Sequence, residues 1–236
     1  MKIRSIALLA ISLPFSVCAA NLSMASLAVY NSWDSPPSVA LVTEMEAEVS
    51  RIFAAAGVRV TWRTLTSPRK PEDFPAIVIF RFHGVCSFDR GPVPDERSAI
   101  ESGFSLAKTD VVDGQVLPFA TVDCDGVRRF IAPDMKYLTA EQRNARLGRA
   151  LARVSAHEIY HMLTKSERHT RIGIARASFS RSELTAPTFF FAQKETAWLR
   201  AWGEMPIGST VIAEEQPADS PDAESTQLES GTFVGR

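Results

Sequence analysis

Cysteine and histidine are scarce in this chain, and neither sign of charge dominates. Its 236 residues include three Cys and four His, and 26 Lys+Arg stand against 27 Asp+Glu. Three cysteines are too few for a disulfide scaffold or a Cys-rich zinc module. A formal net charge of -1 gives no electrostatic footprint for nucleic acid, which needs a basic patch or stripe. Past the first twenty residues, no run is apolar and long enough to span a bilayer. Hydrophobic residues, by contrast, make up 45% of the chain, too many for wholesale disorder and enough for one domain with a sizeable core.

The two ends separate from the fold. Lys2 and Arg4 precede an apolar run from Ile6 to Val17, and Cys18-Ala19-Ala20 supplies small residues for cleavage. That order is the order of a secretory signal peptide over residues 1–20, so the mature protein is expected outside the cytoplasm, secreted or periplasmic, without stable membrane insertion. Removing Lys2 and Arg4 leaves 24 basic against 27 acidic side chains, a net charge of -3. From Ile207 onward the chain holds Pro217, Pro221 and six acidic residues against Arg236 alone. Such a segment cannot bury enough apolar surface to offset its ordering entropy, so 207–236 reads as a disordered acidic tail. Export also changes the cysteine arithmetic. Cys86 and Cys124 remain, and in an oxidising compartment the expectation is one bridge, closing a loop of about 39 residues and worth ~3–4 kcal/mol on the chain-entropy model.

Between the ends, strand and helix patterns alternate. Leu27–Tyr30 reads as a strand before a Pro-rich turn, and Ser38 as the cap of a helix with Val42, Met45, Val49, Ile52 and Phe53 on one face, closed by Gly57. Val58–Trp62 and Ala76–Phe82 read as strands, the second apolar enough to be central. Residues 84–102 read as a long loop. Phe104–Lys108 and Val116–Asp123 are further strands around an Asp113-Gly114 hairpin, with Pro118 suited to an edge. Thr139 and Gln142 form a capping box for a long helix whose apolar stripe runs through Leu147, Leu151 and Val154. Ser182 and Glu183 begin a closing helix that continues through Trp202. The class is α+β: a mixed or antiparallel sheet, a backing helix, a long second helix and a short C-terminal helical part.

The long helix carries His157-Glu158-Ile159-Tyr160-His161, an HExxH pattern. Positions i and i+4 stand one turn apart on one face, so both imidazoles reach one ion. Glu158 faces the same space at another angle and suits a general base. The pattern arises by chance in roughly one chain in a hundred of this length, and two core histidines bonded to backbone would also satisfy it. Here, however, the motif lies on a well-signalled helix and shares the sector of the apolar stripe. A catalytic zinc takes three protein ligands. His169 is the first candidate for the third, followed by Glu183 and then Glu167. His83, at a strand end, is left over.

The stretch HEIYHMLTKSERH, residues 157–169, resembles the zincin metallopeptidases and is similar to the metzincin arrangement, in which a third His follows HExxH after a tight turn. The resemblance covers the layout of residues 21–206 as well, with 21–165 above the site and 166–206 below it. Two departures stand out. The metzincin spacing places the third His six residues after the second, where this chain has Glu167, with a Gly where it has Thr164. The segment Gly173–Ala177 holds no Met where a methionine turn is expected. The resemblance implies Zn2+ on His157, His161 and His169, Glu158 as general base, and hydrolysis of a peptide or protein substrate added as a strand to Val116–Asp123 or Phe104–Lys108. Arg176 and Tyr137 are minor candidates for an oxyanion donor. A zincin-like protein that binds zinc or peptide without cleaving is the alternative. Oligomeric state has no signature in the sequence.

Overall fold

The computed structural model describes residues 24–65, 74–90 and 105–204, together with the backbone of Phe233–Val234. The expected signal peptide and most of the expected acidic tail lie outside the described residues, as do 66–73 and 91–104. No described helix is long and apolar enough to cross a membrane.

Five strands form one mixed sheet, in the order β2-β1-β3-β5-β4. They are β1 (Ala25–Trp33), β2 (Val58–Thr64), β3 (Ala76–His83), β4 (Ala107–Val112) and β5 (Gln115–Asp123). β1 runs parallel to β2 and β3, and β3 parallel to β5; only β4 is antiparallel. The apolar run of β3 puts it at the centre, as its composition requires. Alternation sorts the faces: Leu27, Val29, Val78, Phe80, Phe82, Ala120 and Val122 point into the core, while Ile77, Arg81, His83 and Phe119 point out. The Asp113-Gly114 turn joins β4 to β5, and both residues have positive φ (50° and 72°), as a two-residue hairpin turn demands. Of the two hairpin strands, β4 is the one at the sheet edge; β2 forms the other edge. β5, with Pro118, lies inside the sheet, and Pro118 is tolerated because the β4–β5 ladder shifts register between Thr109 and Val111.

Two helices cover the inner face. α1 (Val39–Ala54) starts where Ser38 Oγ accepts from the Leu41 N–H at 3.2 Å. Its buried stripe holds Leu41, Met45, Val49, Ile52 and Phe53, and burying each such side chain is worth ~1.5–3 kcal/mol. A short helix, α2 (Cys124–Ile131), follows β5 directly; Asp123 caps it, and a 3-10 turn (Ala132–Met135) extends it. The preceding strand ends at Asp123, as expected, but no element was expected over the stretch that forms α2. Cys124 at its start is bonded to Cys86, which follows β3, so the two thiols form the expected disulfide.

The long helix is α3 (Ala140–Thr164), opened by the full Thr139–Gln142 capping box. It packs on α1 so closely that a Cβ on Gly148 would stand 2.3 Å from the Leu41 carbonyl oxygen. Gly148 is thus a contact requirement of the helix pair. A buried ion pair ties the same two helices together: Arg153 Nε donates to Glu48 Oε1 at 2.9 Å. Arg153 Nη2 also donates to the Ala186 carbonyl at 2.7 Å, reaching the part of the chain below the helix.

That lower part is mostly irregular. The closing helix is broken into α4 (Arg181–Thr185) and α5 (Gln193–Gly203). Pro187 explains the break, since the residue before a proline is forced out of helical backbone, and Ala186 sits at ψ 156. Ser178–Phe179 form a two-residue strand, β6, which pairs antiparallel with β7 (Phe233–Val234) from the end of the chain.

Candidate metal centre

Three imidazoles meet where α3 passes under the sheet edge. His157, His161 and His169 each offer a ring nitrogen, and these atoms all lie within 4.8 Å of one another. The helix fixes the first two by their i, i+4 spacing. α3 then ends at Thr164 because Lys165 takes a left-handed conformation, φ 51°. The Ser166 N–H donates back to the His161 carbonyl at 3.3 Å, so the chain doubles under the helix and brings His169 to the other two. His169 lies flat over His157, ring centroids 5.2 Å apart, and edge-on to His161 at 4.8 Å.

The hydrogen bonds decide which nitrogens are open. His157 Nδ1 lies 2.7 Å from the Ile174 carbonyl oxygen, and His161 Nδ1 lies 2.6 Å from that of Ser166. A carbonyl only accepts, so both Nδ1 atoms carry the hydrogen and both Nε2 atoms present lone pairs. Those two Nε2 atoms face each other at 2.9 Å. Two neutral imidazoles cannot donate to one another there. Burial holds His157 and His161 down to about 4, against the ordinary 6.5, so neither supplies an extra proton near neutral pH. Facing lone pairs in a buried site are what a cation satisfies, and nitrogens ~3.3 Å apart suit a tetrahedral ion with ~2.0–2.1 Å bonds. The donor set therefore fits a metal.

Glu158 stands beside them, buried like His157 and His161. Desolvation pushes its carboxyl above the usual range, opposed by hydrogen bonds from Thr109 and by the nearby His161. Thr109 Oγ1, on β4, donates to Glu158 Oε2 at 2.5 Å. His157, Glu158, His161 and His169 all open on one cavity of about 620 Å³, walled by β4 residues Ala107–Thr109 above and by Ala177–Phe179 below.

The structure also sorts the remaining candidates. Glu183 is consumed elsewhere: it closes the capping box of α4 with Ser180 and pairs with Arg176, which lowers its pKa despite partial burial. Arg176 is thereby spent as well, and Tyr137 is 89% exposed, so neither serves as an oxyanion donor. Glu167 lines the cavity but is not in the three-nitrogen group. His83 points away, on the outer face of the sheet.

Several supporting groups were not visible in the sequence. Ile174 is fully buried and anchored by its own N–H to the Phe190 carbonyl at 3.2 Å, which aims its carbonyl at His157. Gly173, at φ 73°, makes this approach possible, because a Cβ there would stand 2.7 Å from the Ala192 nitrogen. Phe179, two residues beyond the Gly173–Ala177 segment, packs edge-on to His157 at 5.5 Å. Carbonyls leave no signal in a sequence, since every residue has one. Thr109 does leave one: alternation along Ala107–Val112 turns Ala107, Thr109 and Val111 the same way. Compared with protein-family models, curated proteins and solved structures, the chain matches none.

Proposed function

We propose that this chain is an exported, zinc-dependent peptidase of zincin type. The observation that carries the reading is the convergence of three imidazoles and one desolvated carboxylate on a single cavity beneath an edge strand. His157, His161 and His169 would hold the ion, with Nδ1 of the first two occupied by backbone carbonyls and Nε2 left free for it. Zinc in such a site supplies Lewis acidity, making water a better nucleophile and a carbonyl a better electrophile near neutral pH.

The residues do the rest. Glu158 takes the proton from the attacking water and delivers it to the departing amine; its raised pKa brings it closer to the working range of a general base. Among the described residues no strand pairs with the outward edge of β4, the surface to which an extended peptide adds as another strand. A cavity of about 620 Å³ falls within the ~300–1,000 Å³ range usual for ligand sites. The layout of a sheet above, a helix bearing HExxH, and a lower segment returning the third His is the one the zincin resemblance implies.

The test compares full-length wild type with Glu158→Gln on a labelled protein substrate and a mixed peptide library, with and without chelator. The expected result is hydrolysis by wild type, abolished by chelator and reduced by more than about a hundredfold in Glu158→Gln. Zinc uptake by both proteins with no hydrolysis by either would replace the peptidase with a binding protein.

A further inference from the structure

Glu158 is held by more than its own helix. The hydroxyl of Thr109 donates to Oε2 at 2.5 Å. Thr109 is buried between two exposed neighbours, Lys108 and Asp110, on the edge strand. The ladder shows how it comes to point there. Thr109 pairs with Ala120, but the next pair is Val111 with Val116, leaving Asp110 opposite the three residues Leu117, Pro118 and Phe119. Pro118 has no N–H to give, so regular pairing cannot continue through it. The extra residues bulge β5, whereas β4 keeps its alternation, and that alternation turns Thr109 inward toward Glu158.

We propose that Thr109 is a positioning residue for the general base, fixing Oε2 of Glu158 as an acceptor so that Oε1 is the atom presented to the water proton. The inference rests on the peptidase reading above. The terminal torsion of a glutamate is broad, so a carboxylate without a fixed partner samples orientations in which neither oxygen meets the water. A hydroxyl donor held on the strand removes that freedom. Thr109 keeps its own proton throughout: the water proton moves to Oε1 and then to the leaving nitrogen. Because Thr109 belongs to the strand on which the peptide is laid, the base and the substrate rail share one rigid element. That arrangement limits relative movement between the proton acceptor and the scissile bond.

The test uses zinc-loaded, full-length wild type, Thr109→Val and Thr109→Ser, assayed on a labelled protein substrate. Val keeps the shape and loses the donor; Ser keeps the donor. The expected result is a kcat about ten- to a hundredfold lower in Thr109→Val, the worth of one hydrogen bond to a charged group. KM and zinc content should stay within about twofold, and Thr109→Ser should recover most of kcat. In parallel, thermal unfolding of metal-free wild type, Thr109→Val, Glu158→Ala and the double variant reads the contact itself: the Tm change from Thr109→Val should vanish when Glu158 is absent. Wild-type kcat in Thr109→Val overturns the proposal. So does a loss spread equally over KM and zinc content, or additive Tm changes. A wild type that binds zinc and cleaves nothing overturns the peptidase reading and Thr109's catalytic role with it; non-additive Tm values distinguish that outcome from a Thr109 that never touches Glu158.

Discussion

His83 and the histidines of α3 are both held through Nδ1, but by groups of opposite character. His83 ends β3 on the exposed outer face, with Nδ1 2.5 Å from Asp34 Oδ2, and Arg81 Nε donates to the other oxygen of that carboxylate at 3.2 Å. The His83 bond holds the Asp34 carboxyl below its ordinary range. His157 and His161 give Nδ1–H to neutral carbonyls in a dry site, and burial keeps both rings uncharged. A carboxylate partner in water ties a histidine to a charged surface group. A carbonyl partner in a buried site leaves it neutral, oriented and with an unsatisfied Nε2, which is the condition of a metal ligand. Histidine count alone does not separate the two; the Nδ1 partner does.

Breaking this contrast should give unequal losses. His161→Ala should weaken zinc binding by more than about a hundredfold, beyond what an outer partner contributes, whereas His83→Ala should leave it unchanged; competition against a fluorescent chelator reads both. Among the ion pairs the same asymmetry holds. Glu48→Ala strands the fully buried Arg153 guanidinium, whose pKa burial already lowers to about 10, and should cost ~3–5 kcal/mol in denaturant unfolding. Asp34→Asn, which breaks an exposed pair, should leave the denaturation midpoint where it was.

A smaller effect follows from protonation. His157 and His161 titrate at about 4 in the folded chain and at 6.5 when free. The unfolded state therefore binds more protons between those values, so their contribution is complete above about pH 6.5 and is lost as pH falls toward 4. Glu158 has the opposite sign, since its raised carboxyl costs stability above 4.5 and is relieved in acid. Burial lowers His169 as well, so with three imidazoles against one carboxyl the Tm of metal-free protein should fall between about pH 6.5 and 4; a flat or rising Tm would mean the rings are not buried neutral. Least of all, Gly148→Ala should lower stability by about 1–2 kcal/mol, because overpacking against the Leu41 carbonyl exceeds the ~1 kcal/mol helix-propensity gain. A Tm above wild type would show that α1 and α3 stand further apart.

Much of this molecule is legible where one residue type enforces one geometry. Ser38, Thr139 with Gln142, and Asp113-Gly114 announce caps and a hairpin, and all three are realised. HExxH places two histidines on one helix face by spacing alone. The pairing of Cys86 with Cys124 follows from counting. What stayed hidden depends on backbone atoms or on neighbours distant in the chain. Whether β4 or β5 is the edge turns on pairing partners, so Pro118 pointed to the wrong strand. Pro187 is plain in the sequence, yet the aromatic run after it masked the break between α4 and α5. His169 came forward by its position, but Glu183 was dismissed only once its bonds to Ser180 and Arg176 were seen.

The most direct test is the coordination sphere itself. X-ray absorption at the zinc edge, on full-length protein loaded with one equivalent, should show three imidazole nitrogens at ~2.0–2.1 Å, falling to two in His169→Ala. A chain that retains less than one zinc, or a sphere of oxygens indifferent to His169→Ala, would contradict the assignment.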